Sequence, residues 1–288
     1  MLDTIARSTE AVRTGHASGQ VEAALHFHRG GGRTMLAHQH VPYPFHTTRP
    51  FYLDHERPDI ATLYLQSASG GLYRGDDVAL SIVAGPHAAV HVTTQASTIV
   101  HKTHKRAVAQ TTRVEIGENS FVAMTPDPLV LFPGAEICCM TRVTLAATGR
   151  AILTDGFTHH DPEGARRPFE RYSSAVIVRN EAGGVLLSDR GSLAGELMLG
   201  PTSPLGPFGA VGTLLVLGHG SERCDADILE GRLTCLGCVA GISRLPNDAG
   251  VGGRILAKNG GALARGMEAA FAIAFEALIG VPPARRRK

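Results

Sequence analysis

With 288 residues and a formal net charge of +2, from 28 basic against 26 acidic side chains, the chain has no field to draw it onto nucleic acid or an anionic membrane. Hydrophobic residues make up 43%, enough for a sizeable core, yet Trp is absent and aromatics are only 5%, so that core must be built from Val, Leu, Ile and Ala. The 34 Gly and 16 Pro favour short strands and many turns over long helices.

Residues 1–20 are small and polar and read as a loose leading segment. They carry Asp3, Arg7, Glu10 and Arg13 without an apolar stretch, which argues against a secretory signal. No later run of about 18 apolar residues is available to span a bilayer. Of the five cysteines, Cys138 and Cys139 are adjacent, and Cys235 and Cys238 form a lone C-x-x-C with no second pair at zinc-finger spacing. The expectation is a cytoplasmic protein with free thiols, Cys235 and Cys238 being small buried apolar groups.

Organisation begins at Val21. Two extended runs, Glu22–Arg29 and Arg33–His40, flank Gly30-Gly31-Gly32 and predict a hairpin. The prolines of Pro42-Tyr43-Pro44-Phe45 and Arg49-Pro50-Phe51-Tyr52 predict an edge or crossing segment. Ile60–Gln66, Val78–Val83, Val108–Ile116, Phe121–Met124, Ile137–Leu145 and Ile152–Phe157 are strand candidates. In His87–Thr94 the alternation predicts a half-buried strand. A second set follows at Ser174–Arg179, Val185–Ser188 and Thr213–Leu217. Such spacing without helical patterns between indicates a mainly β fold, either a helix-like stack of short strands or a sandwich. Only the end differs. Leu263, Met267, Phe271, Ala274 and Leu278 fall on one face of an amphipathic helix over about 262–279, stopped by Gly280 and Pro282-Pro283. The basic tail 285–288 reads as a solvated end.

Candidate chemistry is sparse. There is no nucleophile elbow, no phosphate-binding loop and no dinucleotide fingerprint. Among 14 histidines, His26/His28 and His38/His40 have same-face strand spacing, and His159-His160 are adjacent. Both strand pairs read more strongly as solvated faces than as chelators. A metal-dependent enzyme using these pairs with Asp54 or Asp161 is the rival reading. Asp155 and Asp189 each interrupt or end an apolar run, where a carboxylate needs a partner or a polar cavity. An acid lining a cation channel and an acid paired with Arg are equally open for them.

Taken in order, these residues resemble the UreD (UreH) family of urease accessory proteins. Gly70-Gly71-Leu72-Tyr73-Arg74-Gly75-Asp76 is similar to the family's Gly-Gly-x-x-x-Gly-Asp turn, with Arg74 where Gly is common. Arg49-Pro50-Phe51-Tyr52 precedes it, and Thr93-Thr94-Gln95-Ala96-Ser97-Thr98 and Pro128–Ala135 follow at the family's distances. The likeness runs from about residue 21 to 284. It implies an elongated, mostly β, non-catalytic scaffold with a small helical part. It implies a UreF-type partner, a UreG-type GTPase reached through it, and the urease apoprotein. It implies no tightly bound cofactor, with nickel as transient cargo in an internal conduit. By motif position, Asp76, Thr98, Asp155 and Asp189 resemble residues lining that conduit.

Overall fold

A computed structural model describes residues 19–200 and 202–285. Residues 1–18, where most of the loose leading segment falls, and Arg286–Lys288 of the basic tail lie outside the described residues. The strands are β1 (Val21–Gly30), β2 (Arg33–His40), β3 (Phe45–Thr47), β4 (Ala61–Ser67), β5 (Asp77–Ala84), β6 (Ala89–Thr94) and β7 (Ile99–Val100). They continue as β8 (Val108–Ile116), β9 (Phe121–Thr125), β10 (Leu129–Leu131), β11 (Glu136–Leu145) and β12 (Arg150–His159). Then come β13 (Arg171–Asn180), β14 (Val185–Ala194), β15 (Ala210–Gly218), helix α1 (Ala226–Cys235), β16 (Val239–Arg244), β17 (Gly250–Ala257) and helix α2 (Gly260–Ile279).

From β4 to β13 the longer strands alternate between two sheets. One sheet has the order β14-β13-β11-β8-β5-β1-β2, the other β16-β17-β15-β12-β9-β6-β4-β3, with β10 beside β12 and β7 beside β10. Neighbours along the coil are parallel: β5, β8, β11 and β13 in the first sheet, β4, β6, β9 and β12 in the second. Val78 lies beside Gln110, Gln110 beside Cys139, and Cys139 beside Ser174. The chain therefore winds as stacked coils, each giving a strand to each sheet, and the two sheets face one another. The helix-like stack and the sandwich left open by the sequence are one object here. Antiparallel strands finish it, β2 and β14 on the first sheet and β3, β15, β17 and β16 on the second.

Alternation packs Leu25, Leu63, Ile82, Val90, Val122 and their neighbours between the sheets. A second apolar cluster lies behind the second sheet, where Phe121, Ile152 and Leu214 meet Leu263, Phe271 and Phe275 of α2. This sheet is thus a middle layer, and the expectation for β6 needs correction. The strand is buried on both faces, as parallel strands usually are. His91 is 2% exposed, bonded through Nε2 to Thr125 Oγ1 at 2.6 Å and stacked on Phe271. His87 is outside the strand, in a turn with φ +62°.

Helix α2 starts two residues before the expected position. Asn259 caps it by accepting from the Ala262 N–H, and Gly280 ends it at φ +88°, a conformation suited to glycine. Arg150 of β12 donates to the Leu278 carbonyl at 2.8 Å, a cation at the negative helix end. Helix α1 was not expected: it buries only Leu229 and Leu233 and contains Gly231, so its periodic signal is weak. All five cysteines are free. Cys238 is buried as expected, whereas Cys235, the last residue of α1, is exposed. Among the described residues no helix is long and apolar enough to cross a membrane.

Phe275 is 0% exposed and meets Phe121 edge-on at 5.7 Å. Phe275→Ala should cost about 3–5 kcal/mol, since the ring is fully enclosed where α2 is packed between the second sheet and α1, leaving little freedom for the cavity to collapse. Urea denaturation followed by circular dichroism measures this.

Candidate functional site

The interior between the sheets is not apolar throughout. Thr94 of β6, Gln110 and Thr112 of β8 and Asp155 of β12 line, with Leu80 and Met124, a cavity of about 780 Å³ between the two sheets. Its outer lining is exposed at Ser67, Ala68, Gly70 and Gln95–Ser97, where the Gln66 and Gln95 amides bond to each other. The glycine motif shapes this mouth. Gly71 has φ +138°, and a Cβ there would lie 2.5 Å from the Ile99 carbonyl oxygen. The segment is tied down by Leu72 N–H to Ile99 O at 2.8 Å and His101 N–H to Leu72 O at 2.9 Å. It is a tight turn, as its place between two strands indicated.

Asp155 lies at the deep end. Its strand pattern points it inward between Leu153 and Phe157, so a half-buried carboxylate faces the cavity. Tyr172 of β13 donates its hydroxyl to Asp155 Oδ2 at 2.6 Å, and the Gly156 N–H donates to Oδ1 at 2.7 Å. Burial pushes the Asp155 pKa up, against the lowering effects of Tyr172, the Gly156 N–H and the charge of Arg254. Burial, followed by the charge of Asp155, also pushes the Tyr172 phenol and the Cys139 thiol well up. The result is a carboxyl held by two fixed donors and open to one cavity.

The other site candidates lie apart. Thr98 lines the cavity near its mouth, and its carbonyl accepts from Val130 N–H at 2.9 Å. Asp189 of β14 is outside the lining, paired with Arg254 of β17 through two contacts of 2.8 Å. Asp76 is also outside it, its carboxylate accepting from the Tyr73 N–H at 2.8 Å and closing the turn. So the structure gathers Thr98 and Asp155 in one cavity lining, pairs Asp189 with Arg254 outside it, and uses the Asp76 carboxylate in a turn. Sequence reading missed Tyr172, Gln110, Thr112 and Arg254. Arg254, a lone charge in the Gly-rich strand GVGGRILA, was the one with a visible signal.

The strand histidines lie on a solvated face, the stronger of the two readings of their spacing. His26 lies directly opposite His38 on the neighbouring strand, with rings edge-on at 5.5 Å, and all four strand histidines are exposed. Asp54 accepts from the Ala284 N–H at 2.6 Å, and Asp161 is bonded to Arg167 at 2.8 Å. His159 Nε2 lies 2.8 Å from the Arg167 carbonyl. Among the described residues no group of three or more His, Cys, Asp or Glu is placed to hold a metal ion.

Fold and cavity together define a β-coil scaffold, backed by helices and hollowed by a largely apolar cavity with the Asp155 carboxylate in its lining. The UreD urease accessory protein family model matches residues 18–288. Urease accessory protein UreD 1 of Methylorubrum populi is 48% identical over 270 residues, 93% of this chain and 92% of the relative. UreD 3 of Bradyrhizobium sp. (strain ORS 278) is 44% identical over 93% of this chain and 95% of its own length. UreD 1 of Pseudomonas syringae pv. syringae is 32% identical over 89% and 91%. The chain belongs to the UreD family of urease accessory proteins.

The raised Asp155 pKa has a stability consequence. A carboxyl whose folded pKa exceeds its unfolded value favours the fold while protonated and loses that contribution as pH rises through the folded pKa. Asp155→Asn, which keeps an acceptor for Tyr172, should therefore raise the thermal midpoint near pH 7. The gain should shrink as pH falls toward about 4. Scanning calorimetry across that range checks both the sign and the trend.

Proposed function

We propose that this chain is a non-catalytic urease maturation factor of the cytoplasm. It acts as a scaffold with a UreF-type accessory protein, a UreG-type GTPase reached through it, and apo-urease, and it helps insert nickel by offering the ion a conduit. The single observation that supports this most is the cavity between the sheets, with Asp155 at its deep end. Thr94, Gln110 and Thr112 supply neutral oxygens, and Asp155 supplies one hard carboxylate. Such a set binds a hydrated divalent ion weakly enough to let it go, which transit requires. A resident metal in an enzyme would call for a fuller ligand set. Thr98 lines the cavity near its mouth, and Asp189, paired with Arg254 outside the lining, is the second carboxylate we assign to the route.

Two outcomes follow. Asp155→Ala and Asp189→Ala should each lower nickel-dependent urease activation several-fold while leaving partner binding unchanged in co-purification. Normal activation by both variants would remove the conduit, and loss of partner binding would make the acids structural. The four strand histidines should be dispensable. Replacing His26, His28, His38 and His40 together by Gln should change stability little, surface changes usually staying within about 0.5 kcal/mol each. Activation at limiting nickel is the measurement, and a collapse with folding intact would make these histidines carriers of the metal.

A further inference from the structure

The cavity between the sheets is larger and less polar than the transit of one ion requires. A divalent ion with six waters fills about 200 Å³, each water taking about 30 Å³. The cavity holds about 780 Å³. Phe45, Leu65, Ile99 and Met124 line it and are only partly buried, so apolar carbon is left facing the cavity. Small-molecule pockets are of this kind, about 300–1,000 Å³ and mostly apolar, with a few placed polar groups. The charge of the lining selects among guests. Its carboxylates are Asp155 and Asp127, the latter in the connection between β9 and β10, and among the described residues no Lys or Arg lines it. His46 is exposed, with Nδ1 2.8 Å from Gln66 Oε1. Asp155 keeps acceptor capacity toward the cavity. Its Oδ2 accepts from Tyr172 and its Oδ1 from the Gly156 N–H, whereas a carboxylate has about four acceptor positions. At the mouth the bond between the Gln66 and Gln95 amides joins two side chains, so it opens without moving a strand.

We propose that this cavity is a binding pocket for a small organic cation with an apolar body: the body lies against Phe45, Leu65, Ile99 and Met124, and its N–H donors meet Asp155. The pocket rests on the lining alone. Covering the partly buried carbons releases water, which favours association without fixing direction. The charge-assisted contact at Asp155 then sets the orientation and the sign of the guest. Amidinium and primary ammonium groups have the required chemistry, whereas an anion meets two carboxylates and no cation in the lining. A guest seated there also fills the space through which nickel would pass, so on the conduit reading above it slows urease activation.

Three probes of one shape and different charge make the test: benzamidinium, benzamide and benzoate, each titrated calorimetrically into the purified full chain at neutral pH without nickel. Benzamidinium should bind about tenfold more tightly than benzamide, as a charge-assisted pair does over a neutral one, and benzoate should give no measurable heat. Asp155→Asn, which keeps the shape of the site, should bring benzamidinium down to the level of benzamide and leave benzamide unchanged. Absence of binding, equal binding of the three probes, or a benzamidinium affinity untouched by Asp155→Asn overturns the proposal. The comparison of the three probes needs no variant and decides alone if Asp155→Asn does not fold. The effect on activation is read separately, with saturating benzamidinium expected to slow nickel-dependent urease activation several-fold. Benzamidinium bound at Asp155 with activation unchanged supports the pocket and removes the conduit, so the two readings fail by different results.

Discussion

Asp155 sits between two sheets whose other inward residues are mostly Val, Leu, Ile and Ala, and its surroundings answer the cost of a charge there. A carboxylate taken from water needs donors, and hydrogen bonds to a charged group contribute roughly 1.5–3 kcal/mol each. Tyr172 reaches across from the first sheet to supply one, and the Gly156 N–H supplies another. The first is available because β12 and β13 belong to opposite, facing sheets, and the second comes from the next residue of β12 itself. The remaining side of the carboxylate faces the cavity, where Gln110, Thr112 and Thr94 are polar neighbours in an otherwise largely apolar lining. An apolar residue at this position would close the sandwich more tightly, so the acid's presence is a departure from what folding alone favours.

The same coil explains why the helices stand where they do. Parallel strands leave both faces of the second sheet apolar, and one face already meets the first sheet. The other would lie open without α2, whose Leu263, Phe271 and Phe275 cover Phe121, Ile152 and Leu214. The helix therefore belongs to the core, as its amphipathic pattern suggested, and not to a groove for a partner. The outward face of the first sheet, with Arg113, Glu115, Arg142 and Thr144, carries a more polar surface.

Much of this was legible because strand alternation and turn residues are local. The runs Val108–Ile116 and Ile137–Leu145 match β8 and β11 closely, and the helix was placed within two residues by its apolar face and Gly280. What failed was non-local. Nothing near His91 tells that α2 covers its face, so β6 read as half-buried. Asp155 and Asp189 both stood out as acids in apolar runs, but their fates differ because of Tyr172 and Arg254, distant in sequence. Asp76 matches a motif by order alone, and its carboxylate serves the turn that the motif itself forms. Helix α1 and strands β16 and β17 were unmarked, since glycine-rich strands such as GVGGRILA dilute both hydrophobic period and β propensity.

A coil of parallel strands is also a suitable wall for a passage. Each rung is hydrogen-bonded to the next, from Val78 through Gln110 and Cys139 to Ser174, so the backbone cannot open without breaking several ladders. The distance from Thr98 at the mouth to Asp155 at the deep end is then set by fixed geometry. What remains adjustable are side chains, such as the Arg254–Asp189 pair at the sheet margin, whose side chains are 41% and 25% exposed. Motion on the scale of a rotamer change occurs in picoseconds to nanoseconds, far faster than any rearrangement of the sheets. On the conduit reading proposed above, a cation would be handed between side chains while the ladders of the scaffold stay in place.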